Sequence, residues 1–305
     1  MKAAICTRYG PPEGVKIENR PKPKPKDNEV LVRVHAATVS SGDCRVRSAN
    51  VPAFYKPMML LMFGFRKPRQ PVLGTELSGQ VEAVGKEVKS FKEGDAVFGM
   101  TGMKMGAHAE YIALPENGKN GKLVPKPQNL SHEQAAAISF GGTSALHFLR
   151  KGNVQQGKKL LVYGASGAVG TSAVQLAKHF GAEVTGVCSG DNVELVHSLG
   201  ADCVIDYSVE DFRCQTQQYD IVFDAVGRLS KSSCKNTLSP GGKFITVSGS
   251  LASERIEDMQ LLKQLAQNGQ FMPVIDRTYP LEQIVDAYAY ADIGHKKGNV
   301  VIAIP

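Results

Sequence analysis

The stretch Leu160-Leu161-Val162-Tyr163-Gly164-Ala165-Ser166-Gly167-Ala168-Val169-Gly170 carries the clearest chemical content in this sequence. An apolar strand enters a glycine-rich turn that opens a helix, the context in which such a motif reads as a dinucleotide site. Glycines permit the tight turn and a close approach of backbone to pyrophosphate. The N–H groups at the helix start, at the positive end of its dipole, hold the anion. Gly164, Ser166, Gly167, Ala168, Val169 and Gly170 are therefore the pyrophosphate candidates. The spacing is Gly-x-x-Gly-x-x-Gly, not the usual Gly-x-Gly-x-x-Gly, and an ordinary βα turn of another doubly wound protein is the competing reading. The next strand ends Val187-Cys188-Ser189-Gly190-Asp191-Asn192, with no acid at its tip to bind the ribose of NAD. Ser189 can hydrogen-bond a 2′-phosphate, and Asn192 stands beside it. NADPH is favoured, with NADH the alternative, because no Lys or Arg follows and an inward Asp191 would repel that phosphate. As a purely structural residue, Asp191 caps the helix beginning near Val193.

Around this turn the sequence repeats strand and helix. Lys159 to Tyr163, Glu183 to Cys188, Cys203 to Ile205, Tyr219 to Phe223 and Lys243 to Val247 read as strands. Val169 to Phe180, Val193 to Leu199 and residues 258–268 read as helices, and Leu229 to Leu238 continues the alternation. Such alternation builds a parallel sheet covered on both faces. Residues 1–125 are instead punctuated by Gly and Pro with short apolar runs (Glu29 to Ala36, Gly79 to Val84, Asp95 to Phe98, Ala109 to Leu114), a β-rich, barrel-like pattern. Ser131 with Gln134 offers a capping box before an Ala-rich helix. The run Gly298 to Ile304 is a strand without a partner in the alternating order, so it is expected to return to the N-terminal β region.

A chain of 305 residues leads us to expect two domains. At 42% apolar and 21% charged residues the composition is globular, which excludes disordered and collagenous classes. The net charge of +7 favours anionic partners such as nucleotide phosphates. Lys22, Lys24, Lys26 and the cluster Arg66, Lys67, Arg69 read as solvated loops, since neither is interleaved with aromatics as in a nucleic-acid platform. The six cysteines form no C-x-x-C pair and read as isolated reduced thiols. The N-terminus lacks the apolar stretch of a signal peptide. The longest strongly apolar run, Met58 to Phe63, is far too short to span a bilayer. A soluble, cytoplasmic protein with no membrane and no nucleic-acid partner is expected.

The chain resembles the medium-chain dehydrogenase/reductase superfamily, in its zinc-independent quinone oxidoreductase branch. The likeness rests on Val72 to Gly79, Gly94 to Gly99, Gly106 to Tyr111, the glycine turn, Leu199-Gly200-Ala201-Asp202 and Lys297 to Val301. It implies an α/β architecture: a GroES-like, β-rich catalytic domain over residues 1–126, completed by 273–305, plus a Rossmann doubly wound parallel-sheet domain over 127–272. It also implies a cleft between domains where nicotinamide meets substrate. By this resemblance Thr143 and Ser144 lie by the nicotinamide ribose, and Tyr207 and Ser189 by the adenosine phosphate. Ala225, Val226 and Ser248 border the cofactor at the strand ends, and Asn299 lies near the pyrophosphate. Many relatives are dimers, so a homodimer is expected.

Zinc-dependent members use a Cys, a His and a further Cys or carboxylate as ligands, whereas the matching places here read Ser40, Thr75 and Ser139-Phe140-Gly141-Gly142. Three protein ligands are needed for a catalytic zinc, so no metal site is expected. Cys44, four residues past the first ligand position, reads as a buried thiol. Hydride must then go to an acceptor that is already electrophilic, a small hydrophobic quinone or α,β-unsaturated carbonyl, whose developing oxyanion needs hydrogen-bond donors. The branch commonly has Asn-Pro-x-Asp followed by Tyr; this chain has Ser40-Ser41-Gly42-Asp43-Cys44-Arg45. Ser40 and Arg45 are the substitute donors, with Thr75 and Tyr55 nearby candidates; Arg47 reads equally as a structural ion-pair residue. The segment Val51 to Arg69, including Phe54, Tyr55, Met58 and Phe65, reads as a loop able to wall a flat apolar substrate. His108 is the one histidine in a motif that can face a cleft. Competing readings are reversible alcohol oxidation and a nucleotide-binding sensor without turnover.

Overall fold

Glu29–Thr38 forms a ten-residue strand whose Val30, Val32, Val34, Ala36 and Ala37 are all buried, and the first sheet is assembled around it. A computed structural model describes residues 1–305 except Pro52, Phe54, Asn117, Lys119, Asn120 and Ser250; Phe54 of the methionine-rich segment thus lies outside the described residues. The chain divides into two units, Met1–Phe140 with Ile275–Pro305, and Gly141–Val274.

In chain order the first unit opens with β1 (Lys2–Cys6) and β2 (Val15–Asn19), an antiparallel pair, followed by β3 (Glu29–Thr38). Next come α1 (Ser41–Ser48), α2 (Lys56–Phe63), β4 (Glu76–Val84), β5 (Ala96–Met100), β6 (Tyr111–Pro115), β7 (Lys122–Pro125) and α3 (His132–Ala136). Helix α4 (Ser139–Gly152) leads into the second unit: β8 (Lys159–Tyr163), α5 (Ala168–His179), β9 (Glu183–Cys188), α6 (Val193–Ser198), β10 (Cys203–Asp206), β11 (Tyr219–Asp224), β12 (Leu238–Thr246) and α7 (Ile256–Gln267). The tail adds β13 (Ile275–Pro280), α8 (Ile284–Ile293) and β14 (Asn299–Ala303) to the first unit.

Along one edge β3 pairs with β4; along the other it pairs with β6 over Glu29 to Arg33 and with β14 over Ala36 to Thr38. Switching partners along one edge curls the sheet, and Val32, Val34, Leu77, Val97, Val300 and Tyr288 fill the space it encloses. Because β3 and β4 run antiparallel, the end of β3 lies beside the start of β4, which brings Ser40 and Thr75 together.

The second unit is a five-stranded parallel sheet in the order β10-β9-β8-β11-β12. Tyr163 is level with Val187 on β9 and Asp224 on β11, so the turns leaving three adjacent strands meet at one end of the sheet. That end, outside the carboxyl termini of the strands, is where ligands bind in this class of sheet.

Two local expectations are corrected. No α-helix covers 229–238; Ser232–Cys234 makes only a 3-10 turn, because Ser230 and Ser233 hydrogen-bond each other's backbone and satisfy the chain locally. Ser41–Ser48 forms α1, capped by Ser40 through a reciprocal box with Asp43. Within the presumed loop 51–69 lies α2, built from unbranched Met and Leu with Pro57 in its first turn, where a missing N–H costs nothing. The capping box expected at Ser131 and Gln134 is present at the start of α3.

Candidate functional site

In the second unit, Gly164 leaves β8 at φ +78°, and a Cβ there would lie 2.2 Å from Val226. A Cβ on Gly170 would fall 2.1 Å from the Gly164 carbonyl oxygen, so the first turn of α5 sits directly on the strand end only because position 170 has no side chain. Gly167 is different: at φ −79° it is the residue that precedes α5, and a Cβ there would meet nothing nearer than 3.7 Å. The close-packed glycines shape the turn, while Gly167 leaves the backbone N–H groups at the start of α5 open. Gly167, at the N-cap, has no side chain with which to cap them. This is a cradle of the kind that fits a pyrophosphate.

Side chains join this turn to the tip of β9. The Asn192 amide donates to Ser189 Oγ at 2.9 Å and to Ser166 Oγ at 3.3 Å. Asn192 is buried, and its carbonyl oxygen has no partner among the described residues, leaving an acceptor for a hydroxyl. Asp224, fully buried at the end of β11, accepts from the N–H groups of Val226, Gly227 and Leu229 and from the Thr246 hydroxyl, fixing the loop that carries Ala225 and Val226. Ser248 is exposed beyond β12, its N–H donating to Thr246 Oγ1. A Cβ on Gly141 would lie 2.5 Å from the Ala168 carbonyl, so α4 packs against the start of α5 and brings buried Thr143 and Ser144 to that neighbourhood. Tyr207 is exposed, its N–H donating to the Cys188 carbonyl. Asn299 belongs to the first unit, where its amide donates to the Ala137 carbonyl.

One acid at this end was not singled out in the sequence. Asp206 closes β10 level with Cys188; one of its oxygens accepts from the Ser208 N–H and hydroxyl, and the other would lie 2.6 Å from a Cβ on Gly190. The strand-tip rule looks along one strand for an acid, whereas this one comes from the neighbouring strand.

In the first unit, Ser40 and Thr75 meet over a buried carboxylate. The Ser40 N–H and hydroxyl both donate to Asp43 Oδ2, at 2.8 and 2.6 Å, and the Gly74 N–H donates to Oδ1 at 3.2 Å. Thr75 Oγ1 lies 3.3 Å from Ser40 Oγ and 3.5 Å from Asp43 Oδ2. The Ser40 proton is thus committed to Asp43, while the longer contacts of Thr75 leave its hydroxyl the better donor to a substrate. Burial pushes the Asp43 carboxyl up, opposed by nearby His108 and by the hydrogen bonds from Ser40 and Gly74.

His108 is fully buried. Its Nε2 lies 2.8 Å from the Thr38 carbonyl, which can only accept, so Nε2 carries the proton and Nδ1 takes the Tyr288 hydroxyl at 3.3 Å. Burial holds its pKa down, in keeping with a neutral ring. Glu76, also buried, accepts from the Thr38 hydroxyl at 2.5 Å and the Phe140 N–H at 2.6 Å, and burial pushes its carboxyl up to about 7. Arg45, on α1, and Tyr55, just before α2, are both exposed. Arg47 is buried, donating to the Gly10 carbonyl and to Asp292 at 2.5 Å, which makes it a structural ion-pair residue. Among the described residues no three His, Cys, Asp or Glu side chains gather as metal ligands.

Comparison with known proteins covers both units. Residues 26–128 match the alcohol dehydrogenase GroES-like domain, and residues 168–286 the zinc-binding dehydrogenase family. A 2-methylene-furan-3-one reductase of Solanum lycopersicum is 35% identical over 323 residues, spanning 99% of this chain and 79% of that protein. The chain belongs to the medium-chain dehydrogenase/reductase superfamily. Another member, the chloroplastic NADPH-dependent alkenal/one oxidoreductase of Arabidopsis thaliana, is 32% identical over 99% of this chain and 79% of its own. The quinone oxidoreductase from Coxiella burnetii superposes with a TM-score of 0.85 at 26% identity, over 100% of this chain and 99% of that one. Within the superfamily this places the chain in the quinone oxidoreductase-like branch, with its GroES-like and Rossmann-like parts.

Proposed function

We propose that this protein is an NAD(P)H-dependent oxidoreductase that reduces quinones or α,β-unsaturated carbonyls, with NADPH the favoured donor and no catalytic zinc. One observation carries the reading. Where zinc-dependent relatives need metal ligands, this chain has two hydroxyls, Ser40 and Thr75, held on the buried Asp43 carboxylate. Hydroxyls are donors to an oxyanion and poor ligands for zinc. The names of relatives that act on alkenals, a methylene-furanone and quinones support the same substrate class.

A bound nicotinamide dinucleotide supplies the hydride. Gly164, Gly167 and Gly170 with the N–H groups of Ala168 and Val169 hold the pyrophosphate, and Ser166, Ser189, Asn192 and Tyr207 serve the adenosine side. Thr143, Ser144, Ala225, Val226, Ser248 and Asn299 are the remaining cofactor contacts in this reading. Thr75 donates to the acceptor oxygen as negative charge develops there, and Ser40, kept in place by Asp43, orients Thr75. Arg45 and Tyr55 line the substrate side, and the final proton comes from solvent. Two electrons and one proton travel as hydride and a second proton follows, giving hydroquinone or saturated carbonyl.

Ser189 favours the 2′-phosphate of NADPH and Asp206 opposes it, so the preference over NADH is modest. The position of β12 at the outer edge of the five-stranded sheet, with no further strand beside it among the described residues, supports a homodimer by strand pairing, and a cytoplasmic location fits the reduced thiols. The test is oxidation of NADPH and NADH, side by side on chelator-treated protein, with 1,4-benzoquinone, 9,10-phenanthrenequinone and a short enal. Acceptor-dependent oxidation that survives chelation is expected. Nucleotide binding without oxidation of any acceptor would overturn the reading in favour of a sensor.

A further inference from the structure

Helix α2 is apolar on both faces, and only one of them is covered. Met59 is buried and Phe63, four residues on, packs against the core of the first unit. On the opposite face Met58, Leu61 and Met62, spaced i, i+3, i+4, are 55%, 62% and 46% exposed, and Phe65 just past the helix is 68% exposed. Five of the twelve exposed large apolar side chains among the described residues fall between Tyr55 and Phe65. A helix that is apolar all round is normally buried, and an exposed patch of this kind marks an interaction site.

The charges around the helix identify the partner. No Asp or Glu occurs between Asp43 and Glu76, while Lys56 begins α2 and Arg66, Lys67 and Arg69 follow it. All four are exposed. The chain folds back sharply after the helix: Gly64 turns at φ +120°, a Cβ there would lie 2.3 Å from the Lys67 carbonyl, and the Arg69 N–H donates to the Phe63 carbonyl at 2.6 Å. The three basic residues are thereby held at the C-terminal end of the helix. The Tyr9 hydroxyl, donating to the Gly64 carbonyl at 2.9 Å, pins this turn to the first unit. The outward face presents thioether, aliphatic and aromatic groups with no hydrogen-bonding partner to set a register, unlike a specific protein interface, which carries regular hydrogen bonds.

We propose that α2 docks the protein on anionic membrane surfaces. Met58, Leu61, Met62 and Phe65 enter the boundary between headgroups and acyl chains, and the basic residues at the two ends meet lipid phosphates and carboxylates. At eight residues the helix is about 12 Å long, so it lies in the interface plane and does not cross it. No helix among the described residues is long and apolar enough to span a bilayer. The inference departs from the expectation of no membrane partner, and it does not depend on the reductase reading.

The test is sedimentation of the full chain with vesicles of phosphatidylcholine alone or mixed with phosphatidylserine, at low and high salt. We expect binding to the mixed vesicles at least tenfold tighter than to the neutral ones, weakening with salt. Leu61→Asp, and separately Arg66→Glu with Lys67→Glu and Arg69→Glu, should each reduce binding at least tenfold, with the circular dichroism and melting curve unchanged because these side chains are exposed. The sequence contains no tryptophan, so Leu61→Trp gives a single reporter whose emission should shift to the blue on anionic vesicles only. No partitioning, equal partitioning on neutral vesicles, or unchanged binding by both variants would overturn the proposal. So would a smaller assembly of Leu61→Asp on size exclusion, which would show that a second copy covers the helix.

Discussion

Replacing Glu76 with glutamine should make the protein more stable, and more so the higher the pH. Glu76 is wholly buried, and burial raises its carboxyl from an ordinary 4.5 to about 7, against the hydrogen bonds of Thr38 and Phe140 and the nearby Lys296 ammonium. A carboxyl that binds its proton more tightly folded than unfolded makes stability fall as pH rises from about 4.5 to about 7, and the loss persists above that. At ~1.4 kcal/mol per pH unit, the part of this loss falling between pH 5 and 8 is about 2.5 kcal/mol. Glutamine has the shape of the protonated acid: its oxygen can accept from the Phe140 N–H and its amide can donate to the Thr38 hydroxyl. The assay is urea unfolding of wild type and Glu76→Gln at pH 5 and pH 8, followed by tyrosine fluorescence and circular dichroism. The variant should gain about 2.5 kcal/mol on wild type between the two conditions, roughly 5–10 °C in melting temperature for a domain of this size. A difference constant to within about 0.5 kcal/mol would refute the reasoning, and would mean that Lys296 keeps Glu76 ionised throughout.

The glycine turn separates shape from access. Gly170→Ala, colliding with the Gly164 carbonyl, should destabilise the second unit by roughly 1–3 kcal/mol and abolish nucleotide binding, whereas Gly167→Ala should fold normally and lose nucleotide affinity alone; thermal melts and nucleotide titrations read both. Thr75→Val should lower kcat/KM by roughly 10²-fold with nucleotide Kd unchanged, and equal turnover would remove Thr75 from the reaction. Arg45→Ala should lower kcat/KM without touching NADPH affinity, and unchanged turnover would reject its role. Asp206→Asn should raise the NADPH:NADH ratio of kcat/KM by roughly three- to tenfold, as expected for removing one half-buried like charge near a phosphate.

The second unit was largely legible because a parallel strand buried on both faces announces itself: Leu160 to Tyr163 and Val184 to Cys188 are short, mostly apolar runs followed by Gly or Ser. Its failure at 229–238 has a local cause, serine hydroxyls that offer the backbone an alternative to helix. In the first unit, α1 carries a sign in Ser40-x-x-Asp43, weaker than the Glu or Gln form of the box because the acid is Asp and the helix is short. The pairing of Ser40 with Thr75 depends on which ends of β3 and β4 meet, a non-local fact that spacing does not encode. Glu76 and His108 stand in motifs, but their role beneath the hydroxyl pair follows from burial, which a single sequence does not display.

The placement of β14 bears on how the molecule is made. Its residues, translated only after the whole second unit, are inserted between β13 and β3, so the curled sheet of the first unit stays open while that unit is synthesised. At 5–20 residues per second the ribosome needs roughly 10–30 s to travel from Gly141 to Ala303. The second unit, contiguous in sequence, can complete its own sheet within that interval. The residues that follow β3, including Ser40, Asp43 and α2, wait through that interval beside an unsealed strand edge.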